Sequence, residues 1–401
     1  MTAASDVEIK IYASFPIVVE PEEGLNLNAN NWEWVHCLTL SLETLHALPW
    51  LPSKPFKWMR YAIGAVVGAE GHLCRSIDPL DIVEYDAGFP TEPIALYYHL
   101  SDEERRRMFP VDSDDDRRTS LSSSAPSTRM EQFFSDVGER DGHRCVLTGA
   151  PEFLCDAVHL LAHNKGDEYI SRYTQRRTRD HAGGDVVEEI NSVRNGLMLN
   201  GNAHRILGSS LAFLPTPNFA MSTADVDPSL PAGEERFTAH LFKPQIENLV
   251  LGTASPPFGI SLRVAGRDDW PPAILFDAVY ATAVLKHFGT QEFREKVFLT
   301  WKSTFYPDVG VGHIKTSRKS QTNRYTKLMR WKSKKREREA HFEARNAQPD
   351  AFDMLMAVPY ILVQPNQLQS TLREARERAE SKERRRVQEK VEDWMRQADS
   401  S

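Results

Sequence analysis

Alternation of apolar and polar positions is the first signal along the chain. Val7-Glu-Ile-Lys-Ile-Tyr12 switches side-chain character at nearly every residue, the period of a strand with one buried face. Ile17-Val-Val19, just after Pro16, and Ile94-Ala-Leu-Tyr-Tyr98 predict further strands, and Ser41–Leu48 a short helix ahead of Pro49. With Trp32, Trp34 and Trp50 as core bulk, residues 1–100 read as a β-rich N-terminal domain. The pattern then lapses. Residues 101–128 join acidic and basic runs to a Ser-rich stretch with too little apolar surface to offset chain entropy, and are expected to be a disordered linker.

Periodicity returns at Met130. Glu131–Arg140 predicts a helix with Phe133, Phe134 and Val137 on one side. Cys145-Val-Leu-Thr-Gly149 reads as a strand entering a tight turn and Leu154–Ala162 as a second strand, the two forming a hairpin. Over residues 218–310, Phe237–Phe242 and Ile260–Val264 are strand-like. Ala273–Phe288 spaces Ile274, Ala278, Ala281 and Leu285 as a helix does. This extension is expected to pack on the module at 129–217. Residues 311–401 are polar and basic; Thr371–Arg396 interleaves Glu and Arg with few apolar positions, as a solvated helix or a disordered tail would. The expected class is α+β.

A chain of 401 residues exceeds one ordinary core and predicts more than one domain. Its 41% apolar and 26% charged content is that of a soluble globular protein. The longest uncharged apolar run, near Ala62–Ala69, is broken by Gly64 and Gly68 and falls short of the ~20 residues of a membrane span. The first residues lack the basic and apolar stretches of a secretory signal, so an intracellular location, nucleus or cytoplasm, is expected. None of the four cysteines forms a CxxC pair, which argues against a zinc ribbon and a disulfide framework. The net charge of −7 conceals a strong asymmetry: residues 315–338 hold eleven Lys/Arg against Glu337 alone. Lys334, Lys335 and Arg336 are its densest part, suited to nucleic-acid phosphate or to nuclear import.

Chemistry enters with four elements in order: Cys145-x-x-Thr-Gly149, His159, Asn195-Gly-Leu-Met-Leu199 and His204. Phosphodiester hydrolysis needs a base to deprotonate water and a cation to stabilise charge on the phosphate. An imidazole serves best as base when its other nitrogen is held by a hydrogen bond. In this reading His159 is the base and Asn195, in the loop before the helix, steadies the imidazole through its side chain or its backbone carbonyl. His204 is a metal ligand on that helix, with Asp156 and His163 as further candidate ligands. Arg205 beside it is a candidate phosphate contact. The spacing His159-x-x-x-His163 matches the zinc-protease helix, but Leu160 stands where that chemistry requires Glu.

Arg144-Cys-Val-Leu-Thr-Gly149, Ala157-Val-His-Leu-Leu161, Lys165-Gly-Asp-Glu-Tyr-Ile170, Ser192-Val-Arg-Asn-Gly-Leu197 and Asn202-Ala-His-Arg205 together resemble the HNH endonuclease superfamily. The likeness is greatest to a fungal branch of the second HNH type. The resemblance implies a ββα-metal fold, one divalent ion (Mg²⁺, Mn²⁺ or Zn²⁺) and cleavage of DNA or RNA without a covalent enzyme intermediate, with DNA the more expected partner. Val158 stands where many such enzymes carry a metal-binding Asp or His, and Gly208 where related sequences often carry Asp. A second reading therefore stays open: a catalytically inactive nucleic-acid-binding or regulatory protein on the same scaffold.

Overall fold

The alternating segment becomes β1 (Glu8–Pro16), which buries Ile9, Ile11, Ala13 and Phe15. It pairs antiparallel with β2 (Trp32–Ser41) and parallel with β4 (Ile94–Leu100), and β3 (Gly71–Cys74) closes the order β2-β1-β4-β3. On the other face Tyr12 stacks between His36 and Tyr97. This computed structural model describes residues 7–17, 26–51, 54–111, 128–180, 182–246, 250, 259–263 and 268–297, all within one compact unit, Met1–Val311. Ile17 lies just past β1; Val18, Val19 and the basic run with Lys334, Lys335 and Arg336 fall outside the described residues.

Helix α1 (Leu42–His46) is the short helix expected, capped by the Ser41 hydroxyl. Helix α2 (Pro55–Val67), an element the sequence did not suggest, is buried almost all round, with Lys57 and Arg60 among its few polar positions. Pro55 opens it and Gly68, at φ 77°, ends it in the left-handed conformation that glycine adopts without a Cβ penalty. Gly68 also lets the chain pass close by: a Cβ there would lie 2.0 Å from the Phe109 carbonyl oxygen.

Residues 101–111 depart from the expected linker. Ser101 caps α3 (Asp102–Arg107), whose acidic first turn and basic last turn both suit the helix dipole. Met108, Phe109 and Val111 are buried, and the Val111 amide donates to the Val66 carbonyl at 3.0 Å. A run that looks polar by composition is held by a few apolar anchors at its end.

The later strands and helices share the first sheet's core. Strands β7 (Leu211–Thr216), β8 (Arg236–Leu241) and β9 (Ile260–Ser261) form a second sheet, and α8 (Ala273–Phe288) packs against both β7 and α2. Trp58 Nε1 donates to the Tyr280 hydroxyl at 2.6 Å, Tyr61 Oη to Asp277 at 2.6 Å, and Trp50 Nε1 to the Leu241 carbonyl at 2.8 Å. Trp58 is fully buried, whereas Trp32 and Trp34 are only partly so. The N-terminal residues and the extension at 218–310 are thus joined by one core.

Between them lie α4 (Thr128–Arg140), β5 (Cys155–His159), α5 (Asp167–Arg177), β6 (Gly196–Asn200) and α6 (Gly201–Ile206), followed by α7 (Thr223–Val226); α9 (Gln291–Lys296) closes the described chain. The hairpin expected from Cys145–Gly149 and Leu154–Ala162 does not form. Cys145–Gly149 is a turn, closed by the Gly149 amide on the Cys145 carbonyl at 2.9 Å, and β5 pairs antiparallel with β6. The apolar run of Leu197–Leu199 carries no alternation, since both its faces are buried, and it was legible only as part of a motif.

His240 on β8 is wholly buried, stacked on Trp50 at 4.0 Å with Nδ1 2.8 Å from the Tyr280 hydroxyl. Burial pulls its pKa down to about 3. The unfolded chain protonates such a ring near pH ~6.5, so below that pH the unfolded state binds the extra proton. This histidine's contribution is intact above pH ~6.5 and is lost as pH falls toward about 3. His240→Phe keeps a ring on Trp50 and is expected to shrink the drop in urea midpoint between pH 7 and pH 4. Identical drops in the variant and its parent would show that His240 does not carry that acid sensitivity.

Candidate active site

The site is assembled on backbone before any catalytic side chain is placed. At the end of α4, Arg140 and Asp141 form a fully buried ion pair at 2.8 Å. Arg140 donates onward to the Val193 carbonyl (2.8 Å) and the Gly196 carbonyl (2.7 Å), and Asp141 accepts from the Met198 amide (2.7 Å). Helix α4 is thereby pinned to β6. Gly196 makes the approach possible, since a Cβ there would lie 2.5 Å from Val137 and 2.7 Å from Phe133.

The Cys145–Gly149 turn holds the far end of β6. The Cys145 thiol sulfur accepts from the Thr148 and Asn200 amides, both at 3.3 Å, and Thr148 Oγ1 accepts from Asn200 Nδ2 at 3.1 Å. The Asn200 side-chain oxygen, in turn, caps α6 through the Asn202 and Ala203 amides. Cys145 and Cys155 are buried free thiols in this architecture. The cysteine of the motif therefore fixes the start of the helix that carries His204.

His159 ends β5 half-buried, its ring stacked on Phe133 at 4.0 Å and 10°. Its Nε2 lies 3.0 Å from Asn191 Oδ1. An amide oxygen only accepts, so Nε2 carries the proton and Nδ1 keeps the lone pair. Burial lowers the pKa to about 4, the Asn191 hydrogen bond partly opposes this, and charge on His163 or His204 lowers it further. The ring is neutral over the physiological range.

Asn195 plays a different part from the one expected. It is fully buried in the turn before β6; its Oδ1 accepts from the Leu161 amide (2.9 Å), and its Nδ2 donates to the Leu161 and Ile190 carbonyls (3.0 and 2.8 Å). These bonds occupy the amide, and the Asn195 carbonyl accepts from the Leu160 amide at 2.8 Å, so the residue clamps the backbone following β5 and does not hold the imidazole. The side chain on the imidazole is Asn191, which the sequence reading missed. Its only signal was a second asparagine in the same loop.

His204 and Asp156 meet across α6 and β5, Nδ1 to Oδ2 at 2.8 Å. The His204 hydrogen bond, then the charges of His204 and Arg205, lower the Asp156 pKa despite partial burial. The carboxylate is ionised, so His204 donates to it from Nδ1, which leaves Nε2 as the nitrogen that could face a cation. A carboxylate holding one imidazole nitrogen while the other faces a cation is the usual environment of a metal-bound histidine. The pair therefore fits one edge of a divalent-ion site. His163 is exposed, its ring 5.5 Å from that of His159, and among the described residues no three His, Cys, Asp or Glu side chains gather around one point. Val158, in the core at 2% exposure, offers no ligand.

Residues 145–212 match the family model described as HNH endonuclease. Cys145–Ala212 belongs to the HNH endonuclease superfamily, and the chain carries an HNH domain within an α+β fold. No curated protein and no solved structure matches the chain.

The two asparagines are separable by experiment. Asn195→Ala strands three buried backbone groups and is expected to cost about 2–5 kcal/mol, read as a lower urea midpoint. Asn191→Ala, at a half-buried position with one such bond, is expected to cost about 1 kcal/mol or less. Equal losses would contradict this division between a backbone clamp and a ring-positioning side chain.

Proposed function

We propose that the protein is a metal-dependent endonuclease that hydrolyses phosphodiester bonds of nucleic acid with His159 as general base. The single observation that carries this reading is a neutral imidazole whose tautomer is fixed by Asn191, set in one small module with the Asp156–His204 pair. In this reading β5, β6 and α6 are the two strands and helix of a ββα-metal fold.

The lone pair on His159 Nδ1 takes a proton from water as the water oxygen attacks phosphorus and the bond from phosphorus to the leaving oxygen breaks. Asn191 Oδ1 accepts from Nε2 throughout, so positive charge arriving on the ring meets an oriented dipole. Phe133 keeps the ring plane fixed by stacking. His204 Nε2 would hold the divalent ion, Asp156 on its Nδ1 would orient that ring from behind rather than ligate the same ion, and Asn195 keeps the loop between the two histidines in place. When bound, that ion would neutralise charge on the phosphate and the leaving oxygen. Arg205, whose charge already reaches Asp156, adds positive potential on the same side. DNA is the expected polymer, and four unpaired, buried thiols suit an intracellular setting.

One observation favours a second reading. One side-chain donor, His204 Nε2, is few for a divalent ion, and among the described residues no group of three His, Cys, Asp or Glu gathers there. A nucleic-acid-binding protein that has lost hydrolysis on this scaffold would look the same.

Plasmid nicking with Mg²⁺, Mn²⁺ or Zn²⁺ separates the two. His159→Ala is expected to lose about 10²–10⁴-fold in rate, and Asp156→Ala and His204→Ala to raise the metal concentration required. Cleavage by His159→Ala at the parent rate removes the base assignment. Salt-sensitive DNA binding without cleavage in any metal favours the second reading.

The pH profile is a further check. The base works unprotonated, so kcat/KM is expected to stay level at neutral pH and to fall as pH drops toward about 4. An inflexion near pH ~6.5, the ordinary value for histidine, would contradict the buried environment assigned to the ring.

A further inference from the structure

The C-terminal ends of α3 and α5 face each other across a cleft of about 320 Å³ lined by Arg106, Arg107, Gln175, Arg176, Thr178 and Arg179, with Asp180 at its edge. Arginines at helix C-termini have an ordinary use, because they offset the negative end of the dipole and bond the last carbonyls. Two of the arginines here do that. Arg107 donates to the Thr178 carbonyl, and Arg177, behind the cleft, donates to the Ala65 and Phe109 carbonyls at 3.0 and 2.8 Å.

The carboxylates close by are also committed. Arg179 is held by Glu70 and Glu104, Glu168 pairs with Arg172, and Asp180 accepts from the Ala182 and Gly184 amides. Arg106 and Arg176 are left as exposed guanidinium groups to which no described carboxylate is bridged. Removal of its guanidinium from water and then the neighbouring charge of Arg172 disfavour the Arg176 cation, although the residue as a whole is exposed, and an incoming anion would relieve both. A concave surface with fixed walls, surplus guanidinium groups and few free acids is suited to phosphate.

We infer that this cleft is a second, sequence-independent binding site for the phosphate backbone of a polynucleotide, gripped by Arg106 and Arg176 at a distance from the reacting bond. The inference rests on the nuclease reading for its choice of ligand, but its geometry is independent of the histidines. Helix α5 begins just after His163 and ends at Arg177, so its eleven residues separate the two places by about 16 Å along the helix. The cleft would therefore engage a phosphate some nucleotides away from the cut. Long substrates gain this contact and very short ones do not.

The test reads binding without turnover. Full-length protein carrying His159→Ala, in EDTA, is titrated with a fluorescent 30-base-pair duplex over a range of salt concentrations. It is compared with the same protein carrying Arg106→Ala and Arg176→Ala as well. Loss of two phosphate contacts is expected to weaken binding roughly tenfold and to lower the slope of log K against log salt by about 2. Lys10→Ala with Lys243→Ala serves as the charge-matched control, and circular dichroism verifies folding of each variant. Unchanged affinity and slope in the arginine variant would overturn the inference, as would an equal loss in the control pair. Displacement of the duplex by micromolar inorganic phosphate or pyrophosphate would also overturn it, since the cleft would then be a small-anion site. Because no cleavage is measured, failure here leaves the hydrolytic reading to its own assay.

Discussion

Arg140 and Asp141 are both taken fully out of water, where each charge alone would carry a desolvation cost of several kcal/mol. They tolerate this because each meets the other and then a backbone group of the neighbouring strand. Such a pair contributes little net stability relative to an apolar substitute, and its value is positional. It fixes where α4 ends relative to β6. From that one registration follow the seat of Phe133 over His159, the need for glycine at position 196, and the line along which β6 runs to the capping residue of α6. Trp270, 5.0 Å from the Arg140 guanidinium, shields the pair from solvent and ties it to the residues preceding α8.

The candidate chemistry depends on how this frame treats two imidazoles. His159 is deprived of water and loses basicity, so it is unprotonated wherever the protein is folded at ordinary pH. His204 is given a carboxylate instead, which fixes its tautomer. One ring is thereby suited to accept a proton and the other to hold a cation. The two asparagines divide the supporting work in the same spirit: Asn191 touches a ring, while Asn195 touches only backbone. The side chain with the motif's more familiar spacing is the structural one.

The sequence carried a good part of this. Alternation marked β1, an apolar run marked β4, helical spacing marked α4 and α8, and the ordered set of Cys145, His159, Asn195 and His204 located the HNH segment without any coordinates. The misses share a cause. Strands β6 and β7 are buried on both faces, so no polar face remains to reveal their period, and α2 offers only Lys57 and Arg60 against a run of buried residues. The reading of 101–111 as linker failed because three apolar residues outweighed the composition around them.

Residue type and spacing thus determined which groups are available: two imidazoles, a nearby carboxylate and an amide. Those are local properties, and periodicity or order in the chain reports them directly. Partners were decided only by the tertiary structure. It made β5 pair with β6 rather than with the Cys145 turn, put Asn191 rather than Asn195 on the imidazole, and brought Asp156 to His204 across a wide gap in sequence. Which of several similar groups comes within hydrogen-bond range depends on how buried elements pack, and packing is a property of the whole core that no short stretch of sequence displays.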